Sequence, residues 1–349
     1  MPLHSSLHSI PRNDIFVVPL FRFVRELDPS ARTTVQPAMS SIMSGVKEST
    51  RALSAEHDRA SLKNYLMVKV RDYYVLTKPE VNLLILMTTS AGYYLGLRGS
   101  FHPLGLVNTV TGTLLVASGT ATLNQWMERV WDGQMRRTAR RPLPSGRISS
   151  REALLFGMIL SIAGGVFLAL TVNRLSSLLA VSTLLSYLLI YTPLKRYTPL
   201  CTLLGAFPGA MPTLIGWAGA SNGVNLQAAS LFAVLFLWQF PHFLAIALMY
   251  REDYERAGYR MLPRFDADSR FTHAEILIFT CALIVTTVMP VALQGRVVST
   301  GSMLLAGAFL LYHALRLAAG SSRPVASRLL HASVIYLPVV LAVMALSKR

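Results

Sequence analysis

Residues 197–250 read YTPLCTLLGAFPGAMPTLIGWAGASNGVNLQAASLFAVLFLWQFPHFLAIALMY, 54 positions without one Lys, Arg, Asp or Glu. A helix needs about 20 apolar residues to cross the hydrocarbon core of a bilayer, so this run is long enough to cross twice. Ser221-Asn222-Gly223-Val224-Asn225 supplies the turn between the two crossings. Backbone groups in lipid must be satisfied within the segment, which makes both halves helices and not strands. Outward from this stretch the pattern repeats, with charge-free runs at 81–97, 99–127, 153–173, 175–194, 276–295, 297–315 and 329–347. The expected fold is therefore all-α: a polytopic membrane bundle of about nine transmembrane helices, with a central cavity opening at the cytoplasmic side.

Composition agrees. Of 349 residues 52% are hydrophobic and only 14% charged, against about a quarter charged in ordinary soluble domains. This excludes a soluble enzyme, a disulfide-built secreted domain and a disordered chain. Cys201 and Cys281 lie in separate apolar runs and read as packing residues. The net charge of +16 needs no nucleic-acid partner, because basic loops on one membrane face supply such an excess.

The loops set an orientation. With the N-terminus in the cytoplasm, loops 129–151, 193–200, 251–270 and 316–328 fall inside and hold 17 Lys and Arg. The outer loops hold 3: Arg98, Arg174 and Arg296. That asymmetry fits the cell inner (plasma) membrane with a cytoplasmic N-terminus; the mitochondrial inner membrane is the alternative. Lys348 and Arg349 are the minor exception. The 10 acids from Glu80 onward all lie at or beside the inner ends of spans. Acidic residues contribute little to topology, so something at that face requires carboxylates. The first 79 residues differ, with 11 basic and 7 acidic side chains. Residues 1–60 read as a disordered cytoplasmic arm, or in part as a mitochondrial transit peptide, against which Asp14, Glu26 and Asp28 weigh. Residues 61–77 read as an amphipathic interfacial helix, and 61–349 as the transmembrane domain.

The chemistry gathers in two stretches. Asn124-Gln-Trp-Met-Glu128-Arg-Val-Trp-Asp132-Gly133 places Asn124, Glu128 and Asp132 four apart. Each is then turned ~40° and moved ~6 Å from the last, so all three project from one helix face. An amide and two carboxylates form a hard oxygen set suited to Mg²⁺, an ion held by a few carboxylates together with substrate phosphates. An ordinary solvated helix end is the bland alternative. Arg136, Arg137, Arg140, Arg141 and Arg147 follow, interleaved with Pro142-Leu-Pro144-Ser-Gly146; arginine forks grip phosphate oxygens. Glu152 is set aside, since Ser149-x-x-Glu152 reads as a capping box.

The second stretch is Trp238-Gln-Phe-Pro-His242-Phe243, followed by Tyr250-Arg251-Glu252-Asp253-Tyr254-Glu255-Arg256. If the two loops meet, Glu252 and Asp253 complete a metal set with Asn124, Glu128 and Asp132, and Arg251 joins the diphosphate grip. Lys78, Lys195 and Arg196 lie on the same face and either touch phosphate or snorkel to lipid headgroups. His242 lies deeper; it either hydrogen-bonds within the bundle or serves function, as ionisable groups within spans commonly do. Gly205-x-x-x-Gly209 permits close helix packing.

These residues carry a resemblance. Asn-x-x-x-Glu-x-x-x-Asp followed by Arg141-Pro-Leu-Pro-Ser-Gly-Arg147 resembles the first signature of the UbiA-type intramembrane prenyltransferases. Together with Tyr191-Thr-Pro-Leu-Lys-Arg-Tyr-Thr-Pro, Gly209-Ala-Met-Pro-x-Leu-Ile-Gly-Trp217, Trp238-Gln-Phe-Pro-His-Phe243 and Arg251-Glu-Asp-Tyr-x-x-Ala-Gly-x-x-Met-Leu-Pro263, it resembles their haem O synthase branch, the protohaem IX farnesyltransferases. The likeness runs over about residues 70–345 and departs in two places. Glu128 stands where the superfamily usually has Asp, and the second motif is shortened to Glu252-Asp253-x-Glu255. The resemblance implies farnesyl transfer from farnesyl diphosphate to a vinyl group of protohaem (haem b), with Mg²⁺ as cofactor and His242 toward haem. Asn124, Glu128, Asp132 and Asp253 would be catalytic, and Lys78, Arg136, Arg137, Arg141, Arg147, Lys195, Arg196 and Arg251 would bind diphosphate. It also implies the lipid bilayer as surroundings and haem A synthase or terminal-oxidase assembly as a partner. Trp126, Trp131 and Trp238 would either face an allylic cation or serve as anchors and core. The alternatives are a UbiA-type enzyme for a quinone or chlorophyll precursor, a transporter of an anionic lipid or haem, and a non-enzymatic oxidase assembly factor. A transporter would hold its polar site near the bilayer midplane.

Overall fold

The structure, a computed structural model, describes residues 29–348. Its regular elements are all helical among the described residues, and the chain divides into two units, 1–68 and 69–349. Helix α1 (Pro29–Leu76) belongs to the first unit up to residue 68 and to the second beyond it. Residues 29–60, expected to be disordered, are therefore helical, and the expected interfacial helix is their continuation. Between Pro37 and Leu76 the sequence has no further proline and Gly45 as its one glycine, so nothing breaks the helix locally. The rest of the expected arm, and with it the transit-peptide reading, lies at residues 1–28, outside the described residues.

Nine helices follow as a bundle: α2 (Pro79–Gly96), α3 (Pro103–Asp132), α4 (Ser150–Thr171), α5 (Arg174–Ser186), α6 (Cys201–Ser221), α7 (Leu226–Met249), α9 (Arg270–Ala292), α10 (Val297–Ala319) and α11 (Arg323–Leu346), with the short α8 (Arg251–Arg256) after α7. Among the described residues eight candidate spans, α5 counted through Leu194, are long and apolar enough to cross a membrane. The ninth expected span, α2, is the exception. It has 18 residues and opens Pro79-Glu80-Val81-Asn82, so its first turn is polar and its length of about 27 Å falls just short of the hydrocarbon core. Each helix of the bundle packs on its neighbour in chain order, α11 returns to α2 to close the ring, and α2 and α6 press together across it.

That crossing depends on glycine. A Cβ at Gly216 would sit 2.0 Å from the Thr89 carbonyl oxygen, and one at Gly92 would sit 2.2 Å from that of Thr213. Without side chains there, the two backbones approach directly. α6 ends at Asn222, which adopts the left-handed conformation at φ 51°, and Asn225 caps the next helix through Ala228 N–H at 3.0 Å. The turn read from Ser221–Asn225 is where the chain reverses. α5 does not simply stop at Ser186: residues Tyr187–Tyr191 form a π turn, with Thr192 N–H bonded to the Tyr187 carbonyl, before α-helix resumes to Leu194. The apolar core lies among α6, α7, α9, α10 and α11, with Trp217, Trp238, Leu283, Leu310 and Tyr336 at its heart.

Candidate active site

The C-terminal end of α3 carries the expected face. Asn124, Glu128 and Asp132 are 1%, 6% and 1% exposed, so they point into protein and not into solvent. Asn124 and Glu128 meet partners from distant parts of the chain, and Asp132 meets one from the loop that follows the helix. Lys78 Nζ donates to Asn124 Oδ1 at 2.8 Å, and Asn124 Nδ2 donates to Thr192 Oγ1 at 3.2 Å. Lys195 Nζ lies 2.9 Å from Glu128 Oε1, and Arg141 Nη1 lies 2.8 Å from Asp132 Oδ2. Lys78 is presented by a left-handed residue at φ 52° immediately before Pro79. Lys195 is presented by the segment after the π turn and also sits 4.5 Å from the centre of the Tyr191 ring.

The electrostatics follow from burial. Lys78 is pushed down to about 7, by burial first and then by Arg141, with Glu128 and Asp132 opposing. Burial also pulls Lys195 down, but Glu128 beside it, with Tyr191 and Tyr187, outweighs that and leaves it well above its ordinary value. Glu128 and Asp132 thus offset Lys195 and Arg141, while Lys78 faces a neutral amide.

The second stretch arrives differently from expectation. Asp253 is buried, but its carboxylate accepts from the backbone N–H groups of Arg136 at 3.2 Å and Arg137 at 3.4 Å, and from Arg256 Nη1 at 3.1 Å. It therefore ties α8 to the turn after α3. Glu252 is exposed, and Glu255 pairs with Arg251 at 2.9 Å. Among the described residues no group of three His, Cys, Asp or Glu is gathered for a metal. The five-residue metal set Asn124, Glu128, Asp132, Glu252 and Asp253 is thus not assembled. Asn124, Glu128 and Asp132 remain as a hard-oxygen set on one face, which fits an ion that takes its other ligands from phosphate and water.

The arginines also divide. Arg141 stays on the rim, and Arg196 lies over the Trp131 ring at 4.2 Å. The Arg136 and Arg137 side chains are exposed, the latter over the Tyr250 ring at 5.0 Å. Arg147 is drawn away: its Nε contacts both carboxylate oxygens of the buried Asp72, at 3.1 and 2.9 Å. Arg251 is committed to Glu255. Those two were expected on diphosphate, and both instead brace the loops. Glu152 forms the expected capping box with Ser149 and also receives Lys69 at 2.9 Å.

A cavity of about 290 Å³ opens beside Glu128, lined among others by Trp126, Trp131, Thr192, Arg196 and Tyr259. Trp238 is absent from that lining; it is 2% exposed and donates from Nε1 to the Ser333 carbonyl at 2.7 Å, a core role. His242 stacks on Trp238 at 4.6 Å, and its Nδ1 lies 2.9 Å from Ser333 Oγ. The Ser333 hydroxyl donates its one proton to the Leu330 carbonyl at 2.7 Å. Nδ1 must then carry the imidazole proton, which leaves the Nε2 lone pair available. Thr192, Tyr259 and Asp72 were missed from the sequence. Thr192 lies inside the Tyr191-Thr-Pro-Leu-Lys195 signature and could have been found there; the other two carry no local signal.

The chain resembles known proteins along most of its length. The protoheme IX farnesyltransferase of Solibacter usitatus is 48% identical over 290 residues, covering 80% of this chain and 99% of that protein. The protoheme IX farnesyltransferase of Koribacter versatilis is 42% identical, covering 80% and 94%. Among solved structures, a UbiA homolog from Archaeoglobus fulgidus bound to GPP and Mg²⁺ has a TM-score of 0.57 at 15% identity, covering 78% of this chain and 99% of that one. A digeranylgeranylglyceryl phosphate synthase reaches 0.66 at 19%, covering 80% and 98%. At these identities the structures speak to fold alone. Matched by the family model over residues 85–335, and by farnesyltransferases over nearly their whole length, the chain belongs to the UbiA prenyltransferase family.

Proposed function

We propose that this transferase joins the farnesyl group of farnesyl diphosphate to a vinyl group of protohaem IX (haem b), with addition of water, giving haem O and diphosphate. The observation that carries the reading is the buried row of Asn124, Glu128 and Asp132, each held against a cation at the mouth of an apolar bundle. Mg²⁺, held by Asn124, Glu128 and Asp132, would offset the charge that builds on the departing diphosphate. Lys78, Lys195 and Arg141 exchange their carboxylate or amide partners for phosphate oxygens, with Arg196 on the cavity side. Trp131 and Trp126 line the cavity as aromatic faces for the allylic cation, and the bundle excludes water until the carbon–carbon bond has formed. His242, with Nε2 unprotonated, is the group that faces haem.

The reaction is assigned to residues 69–349, in the cell inner membrane with the arginine-rich rim in the cytoplasm. Haem O then passes to haem A synthase or to terminal-oxidase assembly. The test is to incubate membranes containing the protein with farnesyl diphosphate, haem and Mg²⁺ and to weigh the extracted haems. Hydroxyethylfarnesyl haem is expected, and its loss in Asp132→Asn with folding intact supports the rim. Unmodified haem beside a prenylated quinone precursor would overturn the choice of acceptor.

A further inference from the structure

Tyr259 carries a buried hydroxyl without a well-formed hydrogen bond. The residue is 2% exposed, and its Oη meets no hydrogen-bond partner among the described residues. Buried polar atoms left this way are rare and costly, so each calls for a cause. The ring cannot move to relieve it. Gly258 turns the chain at φ 74°, Tyr259 N–H donates to the Tyr254 carbonyl at 2.9 Å, and the next amide, Arg260, donates to the Lys195 carbonyl at 2.8 Å. Arg264 Nη1 reaches the Tyr259 carbonyl at 3.3 Å. The ring itself is packed among Met135, Ala257, Trp131, Tyr254 and Met261.

What the ring faces gives the chemistry. Tyr259 and Glu128 line the same cavity, and the Lys195 ammonium lies 6.0 Å from the ring centre. Burial first, then the field of Glu128 and the contact its carboxylate makes with the hydroxyl, holds the phenol in its protonated form, far above its usual range. The acceptor beside it is the Glu128 carboxylate, whose Oε1 is already held by Lys195 at 2.9 Å, and the phenol is left without a well-formed bond. An anion entering the cavity toward Lys195 and Arg196 brings acceptor oxygens to that position.

We infer that the Tyr259 hydroxyl is a ligand-binding group that donates a hydrogen bond to a phosphate oxygen of the bound prenyl diphosphate. The inference rests on the reading of this rim as a diphosphate site. It assigns a role to the loop after α8 that its carboxylates do not fill: the loop delivers a neutral donor in place of a second set of metal ligands.

The experiment uses the full-length protein in nanodiscs, with farnesyl thiolodiphosphate and Mg²⁺ as an unreactive probe in calorimetric titration. Tyr259→Phe should weaken probe binding about tenfold or more, the usual worth of a hydrogen bond to a charged acceptor. Thermal stability without ligand should hold, because no well-formed bond is lost. Haem affinity, followed by Soret absorbance, should stay within twofold. Equal probe binding by Tyr259→Phe and wild type, with Asp132→Asn binding poorly, overturns the inference and leaves the site reading standing. A parallel loss of haem and probe affinity overturns it as well, marking the ring as mere packing. Failure of the wild type to bind the probe overturns both readings together.

Discussion

Replacing Glu128 by Gln removes one charge from a pair whose atoms are 2.9 Å apart and whose side chains are 13% (Lys195) and 7% (Glu128) exposed. At an effective dielectric of about 20, two unit charges at this distance attract by about 6 kcal/mol. Desolvation of both groups offsets much of that, but the desolvation of Lys195 remains after its partner is neutralised. Breaking such a pair from one side therefore costs about 3–5 kcal/mol. Lys195→Met should cost a similar amount by leaving Glu128 buried and unpaired. The double variant, with neither charge, should recover most of the loss, since removing a whole buried pair is often close to neutral. The assay is reversible unfolding in mixed detergent micelles, followed by circular dichroism, for all four members of the cycle. Prenyl transfer is measured alongside and should be lost in all three variants. The stability reasoning is refuted if either single variant unfolds within about 1 kcal/mol of wild type, or if the double variant is less stable than both. The functional reasoning is refuted if the stable double variant still transfers farnesyl.

Arg147→Gln should cost about 1–3 kcal/mol by releasing the buried Asp72 carboxylate, while the KM for farnesyl diphosphate stays within twofold. A tenfold higher KM at unchanged stability would return Arg147 to the diphosphate. Gly216→Ala drives a methyl to 2.0 Å from the Thr89 oxygen, so α2 and α6 must part by more than 1 Å, at about 3 kcal/mol. Gly301→Ala, with nothing within 4 Å, is the neutral control in the same melting experiment. Ser149→Ala removes the acceptor of the Glu152 amide and should lower stability by about 1 kcal/mol. His242→Ala should change the Soret band of bound haem without altering binding of the prenyl diphosphate analogue, and an unchanged band would remove His242 from the haem.

The spans were legible because lipid imposes a condition that sequence alone must meet: long runs without charge. Helix α2 shows the limit of that rule, since Asn82 is buried against Ser118 Oγ at 2.9 Å and is protected by neighbours instead of by its own hydropathy. The face of Asn124, Glu128 and Asp132 was legible from spacing, because helical geometry fixes it within eight residues. Their partners were not. Lys195 is 67 positions from Glu128 and Arg147 is 75 from Asp72, and such pairs are made by packing. The Asp253 contacts were hidden for the same reason: the two amides that its carboxylate accepts from lie 117 and 116 positions away.

The wide turn at Tyr187–Tyr191 works as a phase shifter. It stores one surplus residue, so everything downstream is rotated by about 100° from where an uninterrupted coil would leave it. Excising any single position there would let the coil run true and swing Thr192 and Lys195 off toward another azimuth. Asn124 and Glu128 would be stranded, although every one of their own atoms was untouched. A one-codon deletion in this stretch is therefore a mutation of the rim written at a distance, and comparisons that slide a gap across it would misalign the machinery by a quarter turn.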